Sequence, residues 1–215
     1  MNPRFAILGA IAILAAAPAF ADDFGDGLTG IQNEWAVAKY QTPDKAARND
    51  AFFALLKHAS EFSAQYPDRA EALAWEGIVL STYAGEVSAM SAMKYAKAAR
   101  VALERAESLD ASALAGGVYA SLGALYSKVP GGLIGFGDDK RAAQYFQKAL
   151  AVDGDNIDNN YFYGEFLVDQ GDYARARTVL EHALAAPPVA ERPVFDAGRR
   201  AEIRDLLNVV SRKTS

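Results

Sequence analysis

Apolar residues recur at spacings of three and four along most of the chain, which is the period of an amphipathic helix. No segment shows the alternation of a half-buried strand. The predicted helices cover residues 28–41, 43–66, 70–84, 87–109, 112–128, 138–152, 158–170, 172–186 and 194–212. The pattern therefore predicts an all-α fold built of helix hairpins.

Polar and proline residues mark where these helices begin. Thr42 followed by Pro43 offers a capping hydroxyl and then a proline at the first helical position. Asp138, Asp158 and Asp172 are the predicted N-caps of three later helices. Within the helix 87–109, the spacing predicts that Met90 and Met93 face the core.

Two of the predicted hairpins repeat one another. The helix 138–152 superposes on the helix 172–186 with an offset of 34 residues, which aligns Ala142 with Ala176 and Phe146 with Leu180. The helices that precede them align with an offset of 41, so the loop 130–137 carries an insertion of seven residues. Stacked helix pairs need this alternation of small and large apolar residues, because one pair cannot bury its apolar face alone.

The repeated pattern resembles the tetratricopeptide repeat. The positions that carry the resemblance are Tyr119, Leu122, Gly123, Tyr126, Ala142, Phe146, Ala149, Gly164, Gly171, Asp172, Tyr173, Ala176, Ala183 and Pro188. The match is clearest over 116–188, a looser copy spans 70–115, and Asn160 departs from the usual aromatic. The resemblance implies a helix-hairpin α-solenoid with a concave groove, closed by a capping helix at 194–212.

A narrower similarity rests on the insertion loop, which reads Pro-Gly-Gly-x-Ile-Gly-x-Gly-Asp over 130–138. An exported helical protein with this loop is similar to the T component of TRAP (tripartite ATP-independent periplasmic) transporters. That family implies a periplasmic partner of a solute-binding protein, which forms small oligomers with a pore or cleft for hydrophobic ligands. Many members are lipoproteins, and this chain departs from them because it has no cysteine.

The N-terminus has the organisation of a cleavable signal peptide. Arg4 provides a positive charge, residues 5–17 are uninterruptedly apolar, and Ala19-x-Ala21 fits the small-residue cleavage rule. The run is shorter than the ~20 apolar residues that a spanning helix needs. We therefore expect a signal peptide at 1–21 and an exported mature domain at 22–215, without a transmembrane segment and periplasmic in a Gram-negative source.

Composition narrows the function classes. A net charge of −5 without a basic block argues against nucleic-acid binding. The absence of cysteine excludes thiolate catalysis and Cys-ligated metal centres. His58 and His182 lie in no metal-binding motif, and no nucleophile–base pattern is present. The sequence predicts a non-catalytic protein without metal or cofactor.

Two polar or glycine-rich loops have more than one interpretation. The loop 130–137 either folds back onto the core, which we favour, or presents Leu133, Ile134 and Phe136 to a partner. The segment 153–160 is rich in Asp and Asn, but it breaks the calcium-loop pattern at its third position. We interpret it as an inter-repeat turn.

The candidate binding face follows from the repeat resemblance. Tyr161, Glu165 and Asp169 lie on one stripe that would face the groove, opposite a wall of small residues over 117–128. The loop residues Leu133, Ile134 and Phe136 would border it. We expect an exported interaction module that binds a protein partner, such as a periplasmic solute-binding or envelope protein, or an amphipathic ligand, and that forms oligomers. The alternative is a periplasmic small-ligand carrier or an enzyme with a helix-built site.

Overall fold

The computed structural model describes residues 23–214, so the predicted signal peptide lies outside the described residues. The described chain is all-α, as predicted, and contains no strand. Its helices are α1 Asp23–Tyr40, α2 Lys45–Gln65, α3 Ala70–Glu86, α4 Ala89–Leu109, α5 Gly117–Lys128, α6 Asp139–Val152, α7 Ile157–Asp169, α8 Tyr173–Ala185 and α9 Pro193–Thr214. None of these helices is both long and apolar enough to cross a membrane.

Short polar residues begin several of the helices. Two predicted N-caps are confirmed: Asp138 begins α6 and Asp172 begins α8. Two other predicted starts are wrong. Asp44 caps α2, while the Thr42 hydroxyl donates to a carbonyl at the end of α1. Asn156 caps α7 in place of Asp158, because its side chain lies close enough to accept from the first two amides beyond Ile157.

The predicted helix 112–128 is interrupted near its start. Residues Ala113–Gly116 form a 3₁₀ turn, in which φ is 56° at Leu114, 52° at Ala115 and 88° at Gly116. A left-handed backbone is unfavourable for residues with a Cβ, so it needs support from its surroundings. The buried Asn159 supplies it by donating to the Ala115 carbonyl at 2.9 Å.

Helix pairs pack through a glycine on the first helix and a large apolar residue on the second. A Cβ added at Gly123 would lie 2.7 Å from the Phe146 ring, and one at Gly164 would lie 2.5 Å from Leu180. The pair Gly77 and Leu103 repeats this contact between α3 and α4. The aligned glycines Gly123 and Gly164 therefore make the same physical contact, and Gly77 makes a comparable one in the hairpin of α3 and α4.

The last helix joins the two ends of the array. Helix α9 packs on α8, as expected for a capping helix, and also on α7 and α1. The Tyr40 hydroxyl of α1 donates to Glu202 of α9 at 2.9 Å, and the Tyr40 ring lies over Gly198. The hairpins therefore form a closed array, and its inner helices surround a central space.

Candidate ligand-binding cavity

The inner helices enclose a cavity of about 670 Å³. Its walls come from α1, α3, α4, α5, α7 and α9, and both tryptophans of the chain, Trp35 and Trp75, lie among them. Besides Leu125 and Lys128, the α5 wall carries small residues, as the sequence predicts. They are Gly117, Ala120, Ser121 and Ala124. A concave, mainly apolar space with a few polar groups is typical of a small-molecule site.

Arg199 of α9 holds one side of this cavity together. Its side chain is 4% exposed and pairs with Asp158 and Glu202, both at 2.6 Å. Burial would lower its pKa, but the carboxylates of Asp158 and Glu202 and the nearby tyrosines raise it above the ordinary value. Arg199 therefore remains charged and ties α7 to α9.

Tyr161 lies in the cavity wall, on the predicted face. Its ring is covered by the Arg199 guanidinium, 4.0 Å from the ring centroid, and meets Phe162 edge-on at 5.0 Å. Only 7% of Tyr161 is exposed, and burial raises its pKa. It forms part of the packed wall, and its ring is less accessible than an anchor on an open groove would be.

The two predicted carboxylates of this stripe share one cation. Lys128 of α5 contacts Glu165 at 3.3 Å and Asp169 at 2.6 Å. Burial lowers the pKa of Lys128, but the two carboxylates outweigh it and raise the pKa. Glu165 lines the cavity, whereas Asp169 lies outside the set of lining residues. Both carboxylates are thus already engaged by a partner from the neighbouring repeat.

The insertion loop divides its apolar residues between core and surface. Phe136 folds back, as favoured: its ring meets Tyr126 edge-on at 5.5 Å, and Arg100 lies 4.3 Å from its centroid. For Leu133 and Ile134 that interpretation is wrong, since they are 108% and 76% exposed. None of the three lines the cavity. The predicted site therefore separates into an internal cavity and an external loop tip.

Several cavity residues could not be found from the sequence. Arg192, Phe195 and Arg199 belong to the capping segment, which gives no sign that it returns to α1. Trp75 lies within the looser repeat copy at 70–115, and no motif marks it as a cavity residue. Met93 lines the cavity as well, whereas Met90, predicted to face inward, is 94% exposed.

The two histidines lie on the surface, whereas the polar segment 153–160 runs from an exposed turn to the buried Asn159 and Asn160. His58 contacts Glu34 at 3.2 Å, and His182 contacts Asp155 at 2.9 Å. Within residues 23–214 there is no group of three metal-ligating side chains. Asn160, which departs from the repeat pattern, donates to the carbonyls of Gly154 and Asn156 and so stabilises the inter-repeat turn.

By its fold and its cavity, this chain belongs to the class of helix-hairpin repeat proteins with a concave inner face. Residues 133–192 match the family model described as tetratricopeptide repeat. The segment 133–192 is therefore similar to tetratricopeptide repeats, and such repeats point to an interaction module. No curated protein matches the chain.

Proposed function

We propose that this protein is an exported, non-catalytic binding module that takes an amphipathic ligand into its central cavity. The observation that carries the proposal is the cavity itself. Its volume of about 670 Å³ falls in the range of small-molecule sites. Its walls combine two indole rings with a few charged groups, which suits a ligand with an apolar body and a polar end.

The charged groups of the cavity favour binding over catalysis. Asp158 and Glu202 pair with Arg199, and Glu165 pairs with Lys128. A general base must be free to take a proton from a substrate. Carboxylates held by cations in the ground state are better suited to shaping a site than to proton transfer.

A protein partner is the second part of the proposal, and the loop tip supports it. Leu133 and Ile134 are exposed at the end of the insertion, and exposed apolar loop residues are frequent contact points. Similarity to the T component of TRAP transporters makes a periplasmic solute-binding protein the partner we propose.

Export itself is tested by N-terminal sequencing of the native protein. Processing predicts Asp22 as the first residue, and an intact Met1 would contradict it.

The cavity is tested with a matched pair of glycine variants. Gly85 lines the cavity and Gly30 does not, yet a Cβ at either position meets no atom within 4 Å. We expect the neutral fluorescent probe N-phenylnaphthylamine to bind the wild type. Gly85→Phe should weaken binding because the ring occupies the cavity mouth, whereas Gly30→Phe should leave it unchanged.

The outcomes separate cavity binding from surface adsorption. Loss of the probe signal in Gly85→Phe alone supports the proposal. Equal signals in both variants would place the probe elsewhere and contradict it. Melting curves by circular dichroism check that both variants remain folded.

A further inference from the structure

The cations of the cavity wall differ in how they are neutralised. Lys39 contacts Glu202 at 3.5 Å, Lys128 pairs with Glu165, and Arg199 pairs with Asp158. Arg192, in contrast, makes no ion pair within residues 23–214, and its Nε is buried without a hydrogen-bond partner there. Among the described lining residues, Arg192 is thus a cation without a carboxylate in ion-pair contact.

Two aromatic rings position the Arg192 guanidinium, but they do not supply the acceptor that its Nε–H lacks. Its guanidinium lies 4.1 Å from the centroid of the Phe195 ring and 5.6 Å from that of Trp75. Burial lowers the pKa of Arg192, and Arg199 lowers it too, although Asp158 opposes both. Such aromatic contacts position a cation, but they do not replace hydrogen bonds to its N–H groups.

A second unsatisfied donor lies beside it. Trp75 is 5% exposed, and its Nε1–H has no acceptor among the described residues. The other cavity tryptophan does have an acceptor, because the Nε1–H of Trp35 donates to the Thr82 hydroxyl at 3.0 Å. A buried donor without an acceptor is energetically unfavourable. Two such donors in one wall indicate that a further group completes the site.

We propose that Arg192 and Trp75 bind the carboxylate of an amphipathic monocarboxylic acid whose apolar chain fills the cavity. This inference rests on the proposed function, since it names the chemistry of the ligand in the same cavity. A carboxylate supplies one negative charge and two acceptor oxygens, which matches one unpaired guanidinium and a neighbouring indole N–H.

The remaining charges favour this ligand over a phosphate. Asp158 is close enough to influence the pKa of Arg192, and Glu202 and Glu165 also line the cavity. A dianion would meet these carboxylates with Arg192 as the one unpaired cation among the described lining residues. The apolar walls are available to the chain of the acid. They include Trp35, Ile78, Met93, Leu114, Leu125 and Val129.

The test compares two ligands that differ only in the end group, ω-bromoundecanoic acid and ω-bromoundecanol, by isothermal titration calorimetry at neutral pH. The wild type should bind the acid about tenfold or more tightly than the alcohol, as expected for one charged hydrogen bond. Arg192→Gln should reduce acid binding to the level of the alcohol and leave alcohol binding unchanged. Trp75→Phe should weaken the acid more than the alcohol.

Arg204→Gln is the control for charge, because Arg204 lies on α9, which begins directly after Arg192, is exposed and carries the same charge. Equal affinities for acid and alcohol in the wild type would overturn the carboxylate site while leaving the cavity function intact. So would an Arg192→Gln variant that loses no more acid affinity than Arg204→Gln. Failure of both ligands to bind would overturn the inference and count against the proposed function as well. The wild-type comparison needs no variant to fold.

Discussion

Gly164 of α7 has no room for a side chain, because Leu180 of α8 occupies the space. A Cβ at this position would lie 2.5 Å from Cδ2 and 2.6 Å from Cγ of Leu180. Contacts below 3.0 Å force a shift, and Leu180 is itself fully buried. Gly164→Ala should therefore push the two helices of the repeat apart.

Two opposing terms set the size of the effect. Replacing a helical glycine by alanine stabilises a helix by about 1 kcal/mol. Overpacking a tight core costs about 1–3 kcal/mol. The difference of the two terms is about 0–2 kcal/mol, and because both close contacts fall below 3.0 Å we expect Gly164→Ala to lower the free energy of unfolding by about 1 kcal/mol. For a chain of this size, each kcal/mol lowers Tm by about 2–4 °C.

Urea denaturation followed by circular dichroism measures the change. Gly30→Ala is the control, because Gly30 lies inside α1 with no atom within 4 Å of an added Cβ. That variant should be stabilised, so the two substitutions should have opposite signs. In a Leu180→Ala background the space is free, and Gly164→Ala should no longer destabilise. An equal cost of Gly164→Ala with and without Leu180 would refute the close-contact argument.

Three further predictions follow from buried polar groups. Asn159→Ala should lower the free energy of unfolding by about 2–3 kcal/mol, because the buried amide donates to three carbonyls; urea denaturation should show a much smaller effect for the exposed Asn208→Ala. Arg199→Gln should cost about 2–3 kcal/mol, since it removes the buried guanidinium that pairs with the partly exposed Asp158 and Glu202, while Arg204→Gln should cost almost nothing. Burial would raise the pKa of Asp196, but hydrogen bonds from an arginine and a backbone amide lower it. Its stabilising contribution is therefore present near neutral pH, and the destabilisation by Asp196→Asn should shrink as the pH falls through the lowered pKa; a cost that does not change with pH would contradict this.

The local part of the fold could be predicted from the sequence. Helix periodicity and the repeat offset depend on residues within one or two hairpins, so they identified the helices and the packing of Gly123 and Gly164. The N-cap residues were harder to predict than the helices, because adjacent polar residues compete for one capping position. At the start of α7, both Asn156 and Asp158 are acceptable caps, and the turn geometry selects Asn156.

Contacts between distant segments could not be predicted. The hydrogen bond from Tyr40 to Glu202 spans 162 residues and leaves no periodic signal. The spacing of Arg199 and Glu202 is typical of a surface ion pair, yet Arg199 is buried. The cavity depends on this closure of α9 onto α1. The sequence could therefore place Tyr161 and Glu165 on the side of α7 that lines the cavity, but it could not place Arg192 there.

The central claim is that a ligand occupies the cavity between the inner helices. Bromine gives an anomalous X-ray signal, so a crystal structure of the protein with neutral ω-bromoundecanol tests this claim directly, whatever binds the carboxylate. We predict an anomalous difference peak inside the cavity, among the side chains that surround Trp35 and Trp75. A peak found only on the outer surface, for example at Leu133 and Ile134, would contradict it.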